Sequence, residues 1–199
     1  MKKKSGFTVL ELVLVLAIAG IIFLMAFIAL PSLWASQRDA ERKANVMSFV
    51  AAVKNYQTNN SRGALPILSG DQELFTGQEA RDDKSNTNSW KNFFRDYVDR
   101  DMEDPSGTDY NIHVVKCGRS AGGDSMAEIE NVGDQCSYPE KFNKANNKDD
   151  VNLNGGVDYT LYVAIGATCK DDYAVKSSSS RSVAVVYVLE RAGRYCYNT

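Results

Sequence analysis

The chain has 199 residues, 44% of them hydrophobic, and 23 basic against 25 acidic side chains give a formal charge of −2. That length admits one membrane segment and one modest domain of more than about 100 residues. Lys2, Lys3 and Lys4 all precede the first apolar run, so the rest of the chain sets 20 basic residues against 25 acidic ones, or −5. An acidic balance argues against a nucleic-acid backbone as the main partner.

Leu12 to Leu30 contains no charged or hydrogen-bonding side chain. As a helix this run spans roughly 28 Å, close to the hydrocarbon thickness of a bilayer. Glu11 stands at its edge, and an ionisable group beside such a run is a functional candidate. The lysine cluster predicts a cytoplasmic N-terminus, with everything after Leu30 outside. No A-x-A cleavage pattern follows the run, which ends Leu30-Pro31-Ser32-Leu33-Trp34. The apolar segment is therefore expected to stay in the mature protein.

Gly6-Phe7-Thr8-Val9-Leu10-Glu11-Leu12, behind a short basic leader, resembles the class III signal of type IV pilins and pseudopilins. Ala17-Ile18-Ala19-Gly20-Ile21-Ile22 is also similar to the helix of that family. The resemblance covers about the first 35 residues. It implies cleavage between Gly6 and Phe7 by a prepilin peptidase and methylation of the new amine of Phe7. It further implies a leader of residues 1–6, a transmembrane and polymerisation helix of residues 7–34, and an extracytoplasmic head of residues 35–199. Glu11 would then be an assembly residue, paired in a fibre with the methylated amine of a neighbouring subunit. The implied partners are other pilin subunits, in a homopolymer, and an inner-membrane assembly machinery. The implied location is the cell membrane, then a surface or extracellular pilus. A pseudopilin of a type II secretion system shares this N-terminus, and a minor pilin for adhesion or DNA uptake is a further alternative. The family's helix-bending proline is absent from its usual place, so a kink or melted turn is expected instead about Pro31.

Beyond Trp34 the helical pattern continues. Ala40, Ala44, Met47, Ala51 and Lys54 fall on one stripe beside Val46, Val50, Val53 and Tyr56, and this side is read as core. Arg38, Glu41, Arg42 and Asn45 lie opposite. One helix from about Thr8 to Asn59 is predicted, stopped by Asn59-Asn60-Ser61-Arg62-Gly63. Residues 61–88 read as a polar connection. Trp90, Phe93, Phe94, Tyr97 and Val98 recur at helical spacing, as an amphipathic helix packed on the sheet or the long helix. From Tyr110 the period becomes two. Strands are predicted around Tyr110, Ile112 and Val114, around Tyr159 to Ile165, around Val183 to Leu189, and from Tyr195 to Asn198. The fold class is thus α+β, a long N-terminal helix packed on a small antiparallel sheet, as in pilins.

Cys117, Cys136, Cys169 and Cys196 form no CxxC pair and all lie in the exported part, so two disulfides are expected. Of three pairings, Cys117–Cys136 and Cys169–Cys196 are favoured. A simple hairpin of the second and third strands would put Cys169 and Cys196 at opposite ends, so the second bond needs a less simple strand order. Asp150, Asn152, Asn154 and Asp158, with Gly155 and Gly156, resemble the start of a calcium loop, although Leu161 stands where such loops carry a bidentate Glu. Calcium is therefore the candidate cofactor, and a polar turn is the competing reading. His113 is the only histidine, no nucleotide or nucleophile motif occurs, and the scattered acidic residues read as solvated surface. No enzymatic activity is expected.

Overall fold

The computed structural model describes residues 8–70, 72–117, 136, 159–190 and 193–199. It divides after Gln37 into two units.

The first unit is the start of helix α1, Val9–Asn59. Its apolar residues are predominantly long or small side chains that lose little freedom in a helix. The helix opens on a reciprocal cap. The Thr8 backbone N–H donates to Glu11 Oε2 at 2.9 Å, and the Glu11 N–H donates to Thr8 Oγ1 at 3.3 Å. Pro31 has no N–H to donate and removes one ladder bond, yet α1 continues through it, and the melted turn expected there does not form.

In the second unit, from Arg38 onward, α1 turns its larger apolar residues inward. Val46, Phe49, Val50, Val53 and Tyr56 are buried. The expected core stripe of Ala40, Ala44, Met47, Ala51 and Lys54 is exposed instead, and Arg42, expected opposite the core, is buried. Methyl groups bury too little area to outbid valine, phenylalanine and tyrosine for the interior. The helix stops at a 3-10 turn, Ser61–Gly63, where Arg62 and Gly63 both take positive φ, 64° and 65°.

The polar connection expected over residues 61–88 also contains strand β1, Gln72–Thr76, and helix α2, Gly77–Asp82. Thr76 and Glu79 form a capping box there, and the spacing Thr-x-x-Glu is its sequence signature. Helix α3, Trp90–Tyr97, is capped by Ser89 and points its rings at α1 and β1. Phe93 meets Phe49 edge-on at 5.7 Å and Tyr56 at 5.5 Å, and Phe94 meets Phe75 at 6.1 Å.

The remaining strands are β2 (Asn111–Lys116), β3 (Thr160–Ile165), β4 (Ala167–Lys170), β5 (Tyr173–Lys176), β6 (Val183–Val188) and β7 (Arg194–Asn198). A five-stranded sheet runs in the order β1-β2-β3-β6-β7. It is mixed: β2 and β3 pair in parallel and the other pairs are antiparallel.

Ile112, Val114, Leu161, Val163, Val183, Val185 and Tyr187 face the core shared with α1 and α3. The intervening Val115, Tyr162, Ala164, Ala184 and Val186 are buried as well, on the other face, with Ala167 of β4 and Ala174 of β5. The near-continuous apolar runs of β3 and β6 already have the character of strands covered on both sides. The β4–β5 hairpin branches off at Gly166, whose φ of 76° suits glycine, and lies between β3 and β6 in the chain. That insertion supplies the less simple strand order that a Cys169–Cys196 bond requires.

Candidate functional site

Within the first unit, the side chains that chemistry would use are Thr8 and Glu11. Thr8 Oγ1 also donates to Glu11 Oε2 at 2.9 Å, so one carboxylate oxygen collects both Thr8 donors. In the single chain the Glu11 carboxylate therefore satisfies the start of the helix, where backbone donors have no intrahelical partner. Gly6 and Phe7 lie outside the described residues. Beyond this cap, Val9 to Ile28 present their large apolar side chains outward, from 80% exposed at Val9 to 52% at Ile18. By length and composition α1 can cross a membrane. A helix bare of polar groups all round is buried in lipid or among other helices when it functions.

The second unit contains a buried charge cluster where solvated acids were expected. Arg42, 1% exposed, is its hub. Its Nε and Nη2 donate to the two oxygens of Asp104 at 2.6 and 2.9 Å, the bidentate geometry that a planar guanidinium favours. Its Nη1 donates to Glu190 Oε1 at 2.8 Å and to Asp39 Oδ1 at 3.2 Å. Arg38 adds a second fork to Glu190, at 3.0 and 2.7 Å. The Glu190 N–H donates to Asp39 Oδ1 at 2.9 Å, the Tyr187 hydroxyl to Asp104 Oδ2 at 3.0 Å, and the Ser106 N–H to Asp104 Oδ1 at 2.9 Å. Asn45 donates to the Tyr110 hydroxyl at 3.0 Å.

The cluster's electrostatics follow from this geometry. Burial works against the Asp104 carboxylate, but hydrogen bonds from Arg42 and Ser106 outweigh it and hold its pKa below the ordinary value. Burial likewise opposes the Arg42 charge, and Asp104 and Glu190 more than restore it, so its pKa is raised. The Arg38 fork holds Glu190 low. Burial pushes the Tyr110 hydroxyl up to about 12 and raises Tyr187 as well, with the neighbouring Asp104 charge adding to both. The cluster ties α1, the segment before β2 and the end of β6 together.

Cys117 bonds Cys136, and Cys169 bonds Cys196, with Cα–Cα distances of 4.8 and 5.7 Å. Cys136 and Cys196 are buried in the layer behind the sheet, with Cys117 and Cys169 packed against it. His113 Nε2 lies 3.1 Å from Gln72 Oε1, and its ring sits 5.7 Å from Tyr162 on the face away from α1. Asp150, Asn152, Asn154 and Asp158 lie outside the described residues. Among the described residues no group of three or more His, Cys, Asp or Glu side chains is arranged to hold a metal.

Two features escaped the sequence reading. Thr8 was signalled by Thr-x-x-Glu at the head of an apolar run. The charge cluster was signalled by a strict three-four spacing, Asp39, Arg42, Val46, Phe49, Val53 and Tyr56, which places Asp39 and Arg42 on the same seam as the core residues.

Residues 1–27 match the family model of the prokaryotic N-terminal methylation motif. That motif is the class III signal of type IV pilins and pseudopilins, and it supports a type IV pilin-like or pseudopilin precursor. The match spans the basic leader, Gly6, Phe7, the Thr8–Glu11 cap and most of the apolar run. No curated protein and no solved structure matches the chain.

Proposed function

We propose that this chain is a structural subunit of a type IV pilus. It is made as a membrane prepilin, cut between Gly6 and Phe7, methylated on Phe7, and polymerised through α1 into a surface filament. The supporting observation is a methylation motif continuous with a helix that presents its large hydrocarbon side chains outward from Val9 to Ile28. Lipid shields that surface before assembly and neighbouring helices shield it afterwards. Lys2, Lys3 and Lys4 keep the leader cytoplasmic, which delivers all four cysteines to an oxidising compartment.

In this reading Glu11 changes partner. In the membrane its carboxylate caps its own helix through Thr8. In the filament, out of contact with water, it requires a cation, because an unpaired buried charge is strongly unfavourable. The methylated amine of Phe7 on an adjacent subunit meets that need, and a subunit slipped along the axis leaves a charge unmatched. Glu11→Gln keeps a side chain that can cap but removes the charge. Glu11→Gln and Glu11→Ala should therefore both insert normally and both assemble poorly. Normal filament yield from Glu11→Gln would end the charge-pairing account.

The reading as a whole is tested by electron microscopy of filaments sheared from cells, followed by mass spectrometry of their subunits. Abundant extracellular filaments of this chain beginning at methylated Phe7 are expected. The same modified N-terminus found only in the cell envelope would replace the pilus with a secretion pseudopilus.

A further inference from the structure

The face of α1 that the head leaves bare is flanked by charges of opposite sign. Ala40, Ala44, Met47 and Ala51 are exposed along the middle of that face. On one flank, Lys43 and Lys54 fall within about 20° of each other round the helix axis. Lys43 reaches over Tyr195 of β7, its Nζ 5.6 Å from the ring centre. Gln57, on the same flank, donates to the Arg181 carbonyl at 2.8 Å. Lys54 and Arg181 are exposed and Lys43 is half-buried, so this flank is basic. Glu41 and Asn45 each lie about 160° round the axis from Lys43, on the other flank. Asn45 donates to the Glu103 carbonyl at 3.0 Å, which sets the loop after α3 beside it. Glu41, Asp99, Asp101 and Glu103 are exposed there against Arg100, so that flank is acidic.

We propose that the two flanks are the lateral contact between copies of this chain, with Lys43, Lys54 and Arg181 of one head set against Glu41, Asp101 and Glu103 of a second. When copies stand side by side with their helices parallel, the basic flank of one meets the acidic flank of the next. Each copy then keeps a free flank of either sign, so the contact repeats instead of closing at a dimer. Exposed ion pairs are individually worth little. Their role here is to select the partner and its orientation, since a wrong pairing sets like charges together, while the apolar half of α1 supplies the affinity. The inference rests on the reading of this chain as a polymerising subunit and adds which sides of the head meet.

The test uses the full chain in phosphatidylcholine vesicles, where no cellular filament is needed. Isotopically light and heavy chains are mixed and treated with a carbodiimide, which joins an amine to a touching carboxylate as an amide. Intermolecular links from Lys43 or Lys54 to Glu41, Asp99, Asp101 or Glu103 are expected, in a ladder that extends past dimers. Links confined to other residues, or a ladder that stops at dimers, overturn the proposal. Charge reversal gives the second arm. Lys43→Glu with Lys54→Glu makes both flanks acidic, and Glu41→Lys with Glu103→Lys makes both basic. Energy transfer between chains carrying fluorescent non-natural amino acids at Ile67, which is exposed, reads the association. Each double variant alone should associate about fivefold more weakly than the wild type. An equimolar mixture of the two should recover to within about twofold of the wild type, because acidic and basic copies then alternate. A mixture no stronger than either variant alone also overturns the proposal. Absence of filaments from cells, with the links intact in vesicles, would count against the pilus reading and leave this contact standing.

Discussion

The two units of this protein invert each other. Up to Gln37, α1 exposes hydrocarbon and keeps its single carboxylate on a helix cap. From Arg38 onward the same helix buries an arginine and an aspartate beside its valines and rings. One helical geometry serves both, so the difference lies in what each stretch must meet. A surface bare of polar groups is stable only in lipid or against other apolar helices. A buried ion network is tolerable only where every donor and acceptor is matched, as Arg42, Asp104 and Glu190 are.

That contrast makes the units separable in experiment. The largest expected effect falls on the head alone. Phe93→Ala removes the ring that α1 packs on and should cost about 3–5 kcal/mol in urea unfolding, leaving membrane insertion unchanged. A mutant protein lost from the membrane fraction despite a folded head would break the separation. Nearly as large is the mirror experiment. Ile21→Lys should cost about 2.5–3.5 kcal/mol in an insertion assay while the melting temperature of the head stays at the wild-type value.

Acid sharpens the contrast further. The pKa values of Asp104 and Glu190 are held below their ordinary values, 3.8 and 4.5. Their contribution to head stability is therefore complete above those values and is lost as the pH falls through the lower values of the folded state. The urea midpoint of the head should decline below about pH 4.5, and membrane partition of the apolar run, which has nothing to titrate between Leu12 and Leu30, should stay flat. A midpoint that rises on acidification would refute the sign. The smallest effect is expected from Thr76→Ala, which removes half of the α2 capping box and should lower head stability by about 1 kcal/mol.

Legibility in the sequence followed how local the physics was. The apolar run, the stop after Asn59 and the aromatic face of α3 depend on neighbours within a few residues, and all three are where the pattern put them. The inward face of the head half of α1 was harder. Counting apolar residues favours the alanine stripe, because Asp39 and Arg42 look like surface until Asp104 and Glu190, 62 and 148 residues from Arg42, arrive as partners. Strand β1 was missed because only Leu74 and Phe75 in it are apolar, and its place at the sheet edge is supplied by pairing with β2. The β4–β5 hairpin was missed for a similar reason: its strands are four residues each and rest on the sheet's second face.

By itself the sequence determined the membrane-length helix, the methylation motif and the kinds of elements in the head, since each is written in side chains close together in the chain. The tertiary structure alone decided that the sheet is mixed, that its second face is roofed by a disulfide-tied hairpin, and that an arginine belongs in the core. Those outcomes rest chiefly on contacts between residues 27 to 148 positions apart. Whether a charge is buried depends on whether another segment brings its counter-charge; the three-four spacing marks the face that Asp39 and Arg42 share with the core but does not name Asp104 and Glu190 as partners.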